Sequence, residues 1–161
     1  MSGEEGYTGP MRCLLIAPYG VDLSVLREVL AEESLAPTAT EDIGSGILLA
    51  DVEMRDFNAA IVILPDGHTT AGLAAVLVES GIAAARGLPL LAVVPPEQSP
   101  PTALASVRHV KGRLDNREAL RLHARLFVRS LNEQPKADVQ ATTRNSSRPS
   151  PAQIAQFRER L

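Results

Sequence analysis

The chain has 161 residues, 45% of them hydrophobic, a size and composition that suit one domain with a real core. A formal net charge of −3, aromatics at 3% and no Trp argue against general nucleic-acid binding, which needs clustered cations or stacking rings. The single cysteine excludes an internal disulfide, and no apolar run reaches the ~20 residues of a membrane span.

Residues 1–11 are acidic and Gly-rich and read as a disordered leader without the apolar stretch of a secretory signal, so a cytoplasmic chain is expected. Cys13-Leu14-Leu15-Ile16-Ala17 then runs apolar without alternation, as a strand covered on both faces does. Its cysteine reads as a buried small hydrophobe. Asp22 can cap a helix carrying Val25, Leu26, Val29 and Leu30 at helical spacing. Pro37 reads as a stop, which places a short second strand at Thr38 to Asp42 and a further helix at Ile47 to Arg55. Ala59 to Leu64 is the clearest strand, ended by Pro65-Asp66-Gly67.

An Ala-rich helix follows from Thr70 to Arg86, closed by Gly87. A fourth strand spans Pro89 to Val94, and a weak fifth lies near Ser106 to Lys111. Asp115 and Glu118 have the spacing of a capping box for a helix running to Leu131. Leu120, Ala124, Phe127 and Leu131 give it an apolar stripe. Arg117, Arg121, Arg125 and Arg129 give it a basic one, read as a solvated face or as a surface for an acidic partner. Residues 132–149 read as a polar linker. Residues 150–161 read as a short capped helix, with Ile154, Phe157 and Leu161 on one face, that must dock on the body or on a partner.

Strands alternating with helices imply parallel pairing with right-handed crossovers. The expected fold is a flavodoxin-like three-layer α/β sandwich around a five-stranded parallel sheet of order 2-1-3-4-5. The direction of winding changes between strands 1 and 3, and a crevice opens beyond their C-terminal ends. Pro18, Tyr19 and Gly20 follow strand 1 there, and Asp66, Gly67 and His68 follow strand 3. The loops lack a dinucleotide fingerprint, a Gly-Lys-Ser/Thr phosphate loop and the acidic pair of a receiver domain. His68, His109 and His123 are too scattered for a metal site.

One acid stands out. Glu79 lies within the otherwise uncharged stretch Ala74 to Ala85 of this helix, near Gly81, which is costly in a helix interior and can admit a ligand or a neighbouring strand. A solvated position for Glu79 and a packing role for Gly81 fit the periodicity as well. The run Glu79-Ser80-Gly81-Ile82-Ala83-Ala84-Ala85-Arg86-Gly87-Leu88-Pro89 reads E-x-G-x-A-x-x-x-G-x-P between two apolar strands. Over about residues 12–131 the chain resembles the nucleoside 2-deoxyribosyltransferase-like group and the related bacterial TIR-like domains.

That resemblance implies a glutamate in the crevice acting at the anomeric carbon of an N-glycoside. Glu79 would then be nucleophile or ion-pair stabiliser, with NAD or a nucleoside as substrate and no cofactor. Asp66 would hold a base or ribose hydroxyl, Pro18, Tyr19 and Gly20 would border the pocket, and His68 would be a proton donor or a plain loop histidine. The chain lacks a second acid close ahead of Glu79, and the alternative is a non-catalytic nucleotide-sensing or protein-interaction module. A signalling or defence effector fits both, with self-association or a protein partner engaged through the terminal helix and the arginine face.

Overall fold

The computed structural model describes residues 9–43, 56–67 and 70–133. Strands β1 (Met11–Ile16), β2 (Leu35–Ala39), β3 (Ala59–Ile63), β4 (Leu90–Val94) and β5 (Arg108–Lys111) form one five-stranded sheet. All neighbours pair in parallel, in the order β2-β1-β3-β4-β5. Helices α1 (Ser24–Glu32), α2 (Thr40–Ile43), α3 (Thr70–Ala85) and α4 (Arg117–Glu133) cover it. The result is the expected flavodoxin-like three-layer sandwich.

Continuous apolar strands exist because both faces of the sheet are buried. Cys13, Leu15, Ile61, Ile63, Leu91 and Val93 point to one side and pack with Leu26 and Leu30 of α1 and Leu120 and Phe127 of α4. The alternate residues Leu14, Ile16, Ala60, Val62, Ala92 and Val94 point to the other and pack with Val76 and Ala83 of α3. Each fully buried aliphatic side chain contributes roughly 1.5–3 kcal/mol relative to exposure. Burial also pushes the Cys13 thiol up to about 12, which keeps it protonated and inert.

Three details depart from expectation. β2 begins at Leu35 rather than Thr38, and Thr40 to Ile43 is helical. Pro37 sits inside the strand, in register with Cys13, and is tolerated because β2 is an edge. The cap of α4 is Asn116, whose Oδ1 accepts the Ala119 N–H at 3.1 Å, and not Asp115. The basic stripe is solvent-exposed, and its arginines also carry ion pairs that the charge pattern alone does not give. Arg117 bonds Glu28 at 2.7 Å and also Glu32, Arg121 bonds Glu32 at 2.8 Å, and Arg125 bonds Glu33 at 2.9 Å. These bonds tie α4 to α1, and Arg129 pairs within α4 with Glu133 at 2.8 Å.

The end of α3 is as the sequence reads. Gly87 takes φ +79° and donates to Ala84 O, while Leu88 N–H reaches back to Ala83 O, which satisfies the last carbonyls. At the outer boundaries, β1 already starts at Met11 and α4 runs on to Glu133. The remainder of the expected leader and linker, the helix at 47–55 and the terminal helix at 150–161 lie outside the described residues. No helix among the described residues is long and apolar enough to cross a membrane.

Candidate functional site

The winding of the sheet dictates where a pocket forms. The chain leaves β1 toward α1 on one side and leaves β3 toward α3 on the other, so the segments after the two strands part. A cleft of about 350 Å³ opens there, on the α1 and α4 side, within the range of small-molecule sites. Val21, Val25, Ile63, Val93 and Leu114 give it an apolar lining. Asp22 enters from the segment before α1, Asp66 from the end of β3, and Arg113 and Asp115 from the turn before α4.

The polar groups are arranged by local bonds. Asp22 Oδ1 accepts the Ser24 N–H at 2.9 Å at the start of α1. Hydrogen bonds from Ser24 hold this carboxyl below its ordinary range. Arg113 donates to Glu97 Oε1 at 3.0 Å. That bond, followed by the charges of Glu97, Asp66 and Asp115, reinforces its protonated state. The guanidinium is thus already matched, while three carboxylates line the same cleft. Among the described residues no group of three His, Cys, Asp or Glu stands close enough to hold a metal ion.

Of the described residues proposed from the sequence as site residues, Asp66 lines the cleft, and Pro18, Tyr19, Gly20, Gly67, Glu79 and Gly81 do not. Pro18, Tyr19 and Gly20 form a tight turn closed by Val21 N–H to Pro18 O at 3.4 Å, with Gly20 at φ +78°. Tyr19 is 93% exposed and covers nothing. Gly67 is exposed beyond Asp66 with φ +87°, and His68 lies outside the described residues. Gly81 is on the exposed side of α3, with open space where a Cβ would stand. The expectation that it admits a neighbouring strand is therefore corrected.

Glu79 is inward-facing and not at the solvated rim. Its side chain belongs to a residue only 6% exposed, and Thr40, at 7%, hydrogen-bonds its carboxyl from the start of α2. Loss of hydration pushes the Glu79 carboxyl above its ordinary range, and the Thr40 bond opposes this in part. Glu79 sits on the α3 face of the sheet, the opposite face from the cleft. A thread of contacts joins it to the turn after β1: Thr40 is followed by Glu41, whose Oε2 lies 3.5 Å from the Gly20 amide nitrogen. The expected single crevice is thus two places, a cleft with Asp66 and an enclosed acid with Thr40.

Sequence reasoning passed over Thr40, Arg113 and Asp115 as site residues and took Asp22 only as a cap. The parallel order carried a usable signal for two of them, since the turn after β5 opens on the same C-terminal edge as those after β1 and β3. Thr40 had none, because the sequence puts it inside a strand from Thr38 to Asp42, whereas it starts α2. No protein-family model matches the chain, and no curated protein matches it significantly.

Proposed function

We propose that the domain binds a nucleoside- or nucleotide-type ligand in the cleft at the C-terminal edge of its sheet, as a sensing or interaction module. The cleft carries this reading: an apolar lining suits the face of a base, and carboxylates suit ribose hydroxyls. With Arg113 paired and Asp22, Asp66 and Asp115 nearby, the uncharged ribosyl part of the ligand is what the cleft holds, and any phosphate stays outside.

A second reading is cleavage or transfer at the N-glycosidic bond of NAD or a nucleoside, and Glu79 favours it. A carboxyl withdrawn from water with a raised pKa is suited to act as general acid, or once ionised as nucleophile, at an oxocarbenium-like centre. This reading requires the ligand to reach the α3 face beside Thr40.

One experiment separates the two. The protein is incubated with NAD and with purine and pyrimidine nucleosides, binding is followed by calorimetry, and free base or nicotinamide is followed by chromatography. Saturable binding without release, weakened by Asp66→Asn, supports the module. Release abolished by Glu79→Gln supports the enzyme. Neither binding nor release at millimolar ligand overturns both.

A further inference from the structure

Two sides of α4 are used within the fold, and its outer face is uncovered among the described residues. Leu120, Ala124 and Phe127 are buried against the sheet, and Arg117, Arg121 and Arg125 are tied to α1. On the outer face Leu122 and Leu126 stand 56% and 54% exposed, one helical turn apart. Single exposed leucines are ordinary, but an aligned pair is a strip that another helix can cover. Two charged residues frame the strip. Glu118, one turn before Leu122, is exposed and makes no ion pair among the described residues. Arg129, about one turn after Leu126, has its side chain 75% exposed and pairs only with Glu133 of the same helix. At about 100° per residue, both lie on the same flank of the leucine pair, the flank toward α1.

This strip is complementary to itself, as an isologous interface must be. A twofold axis level with Ala124 and perpendicular to the helix runs a second α4 antiparallel to the first. Leu122 is two residues before Ala124 and Leu126 two after it, so Leu122 of each copy meets Leu126 of the other. Glu118 is six residues before Ala124 and Arg129 five after it. Arg129 of the second copy therefore comes within one residue, about 1.5 Å along the axis, of being level with Glu118. The axis keeps the two on the same flank, so opposite charges meet at both ends of the strip. A parallel pair sets like residues level with one another and gives no such match. Arg125, the cation nearest the axis, is already matched by Glu33 at 2.9 Å. Glu133 comes level with Asp115 of the second copy only at the far ends, where a crossing of about 20° parts the helices.

We propose that α4 is a self-association surface, on which a second copy of this chain docks its own α4 antiparallel through Leu122 and Leu126. The proposal does not depend on what the cleft binds, and the turns that carry Arg113 and Asp115 into the two clefts lie at opposite ends of the pair. Four leucines make a small apolar core beside the ~1,200 Å² of a stable interface, so the dimer is weak, with half-association at about 10–100 µM. Sedimentation velocity of the full chain, from about 1 µM to about 1 mM, reads it as a rise from monomer to dimer mass. Leu122→Glu/Leu126→Glu is expected to stay monomeric throughout, with unchanged far-UV ellipticity. Glu118→Arg and Arg129→Glu, both at exposed sites, are each expected to weaken the dimer about tenfold, because each sets like charges across the interface. An equimolar mixture of these two variants is expected to associate as the native chain does, because every pair between the copies is then opposite in sign. A native chain that is monomeric throughout overturns the proposal. So does a dimer that survives the leucine changes in a folded protein. Should the leucine variant fail to fold, the charge variants decide, and a mixture that associates no better than either variant alone overturns the proposal.

Discussion

Glu79→Gln tests the enclosed carboxyl directly, because the substitution removes a proton equilibrium while leaving an amide that can still bond Thr40. In the unfolded chain the carboxyl titrates near 4.5, and in the folded chain higher, because burial removes its hydration. Below pH 4.5 both states hold the proton and the folded state keeps its full advantage. As pH rises between the two values the unfolded chain has released the proton while the folded chain retains it. The unfolded state then binds fewer protons, and stability falls with rising pH until the folded value is passed. One proton limits the slope to about 1.4 kcal/mol per pH unit. Gln has no such slope. The two proteins should therefore be alike near pH 4, and the variant should gain steadily on the parent above that before the difference levels off. Asp22, Glu33, Asp42 and Glu97 are held below their ordinary range, and their losses on the acid side are common to both proteins and cancel. Urea unfolding from pH 4 to 8, followed by far-UV ellipticity because the chain has no Trp, gives the difference at each pH. A difference that stays constant or shrinks with pH would show that the Glu79 carboxyl is well hydrated, and the account of an enclosed acid would fail.

Three further outcomes can be measured on the same unfolding curves. Leu15, fully buried between β2 and β3, should cost about 3–5 kcal/mol when changed to Ala, with the transition still cooperative. Ser34 ends α1 with φ 64°, a conformation that favours glycine, so Ser34→Gly should raise stability by roughly 0.5–1 kcal/mol, read as a higher midpoint at unchanged slope. Asp42 is held below its ordinary 3.8, first by the Arg27 hydrogen bond and then by the Ala39 N–H. Its contribution is present above pH 3.8 and lost as pH falls through the folded value, so Asp42→Asn should lose less stability than the parent between pH 5 and 3.

The sheet was legible because unbroken apolar strands have one physical explanation: cover on both faces, which here means helices and parallel pairing. The edge was less so. Pro37 reads as a stop only until β2 is known to lie outermost, and that comes from strand order and not from local sequence. The direction of Glu79 was not legible at all. α3 is apolar on nearly every side, so its periodicity does not say which side turns inward. The outcome inverts simple hydropathy, with Glu79 and Ser80 buried while Val78 is 63% exposed. Ser80 satisfies itself through Val76 O at 2.6 Å, and Glu79 is satisfied by Thr40, which is far away in sequence and placed by β2. Turning α3 by one residue, about 100°, would bring Val78 inward and release Glu79 to water. A buried valine is worth roughly 1.5 kcal/mol or more, and hydrating the carboxylate would add to that gain. Something outweighs both terms. Within the domain Val76, Ser80 and Ala83 are buried on the same side of α3 as Glu79, and Val76 and Ala83 pack with Leu14, Ile16, Val62 and Val94 of the sheet. The acid is buried together with these neighbours. Whether the molecule uses it there is what the pH series and the base-release assay together decide, since one reports its hydration and the other its chemistry.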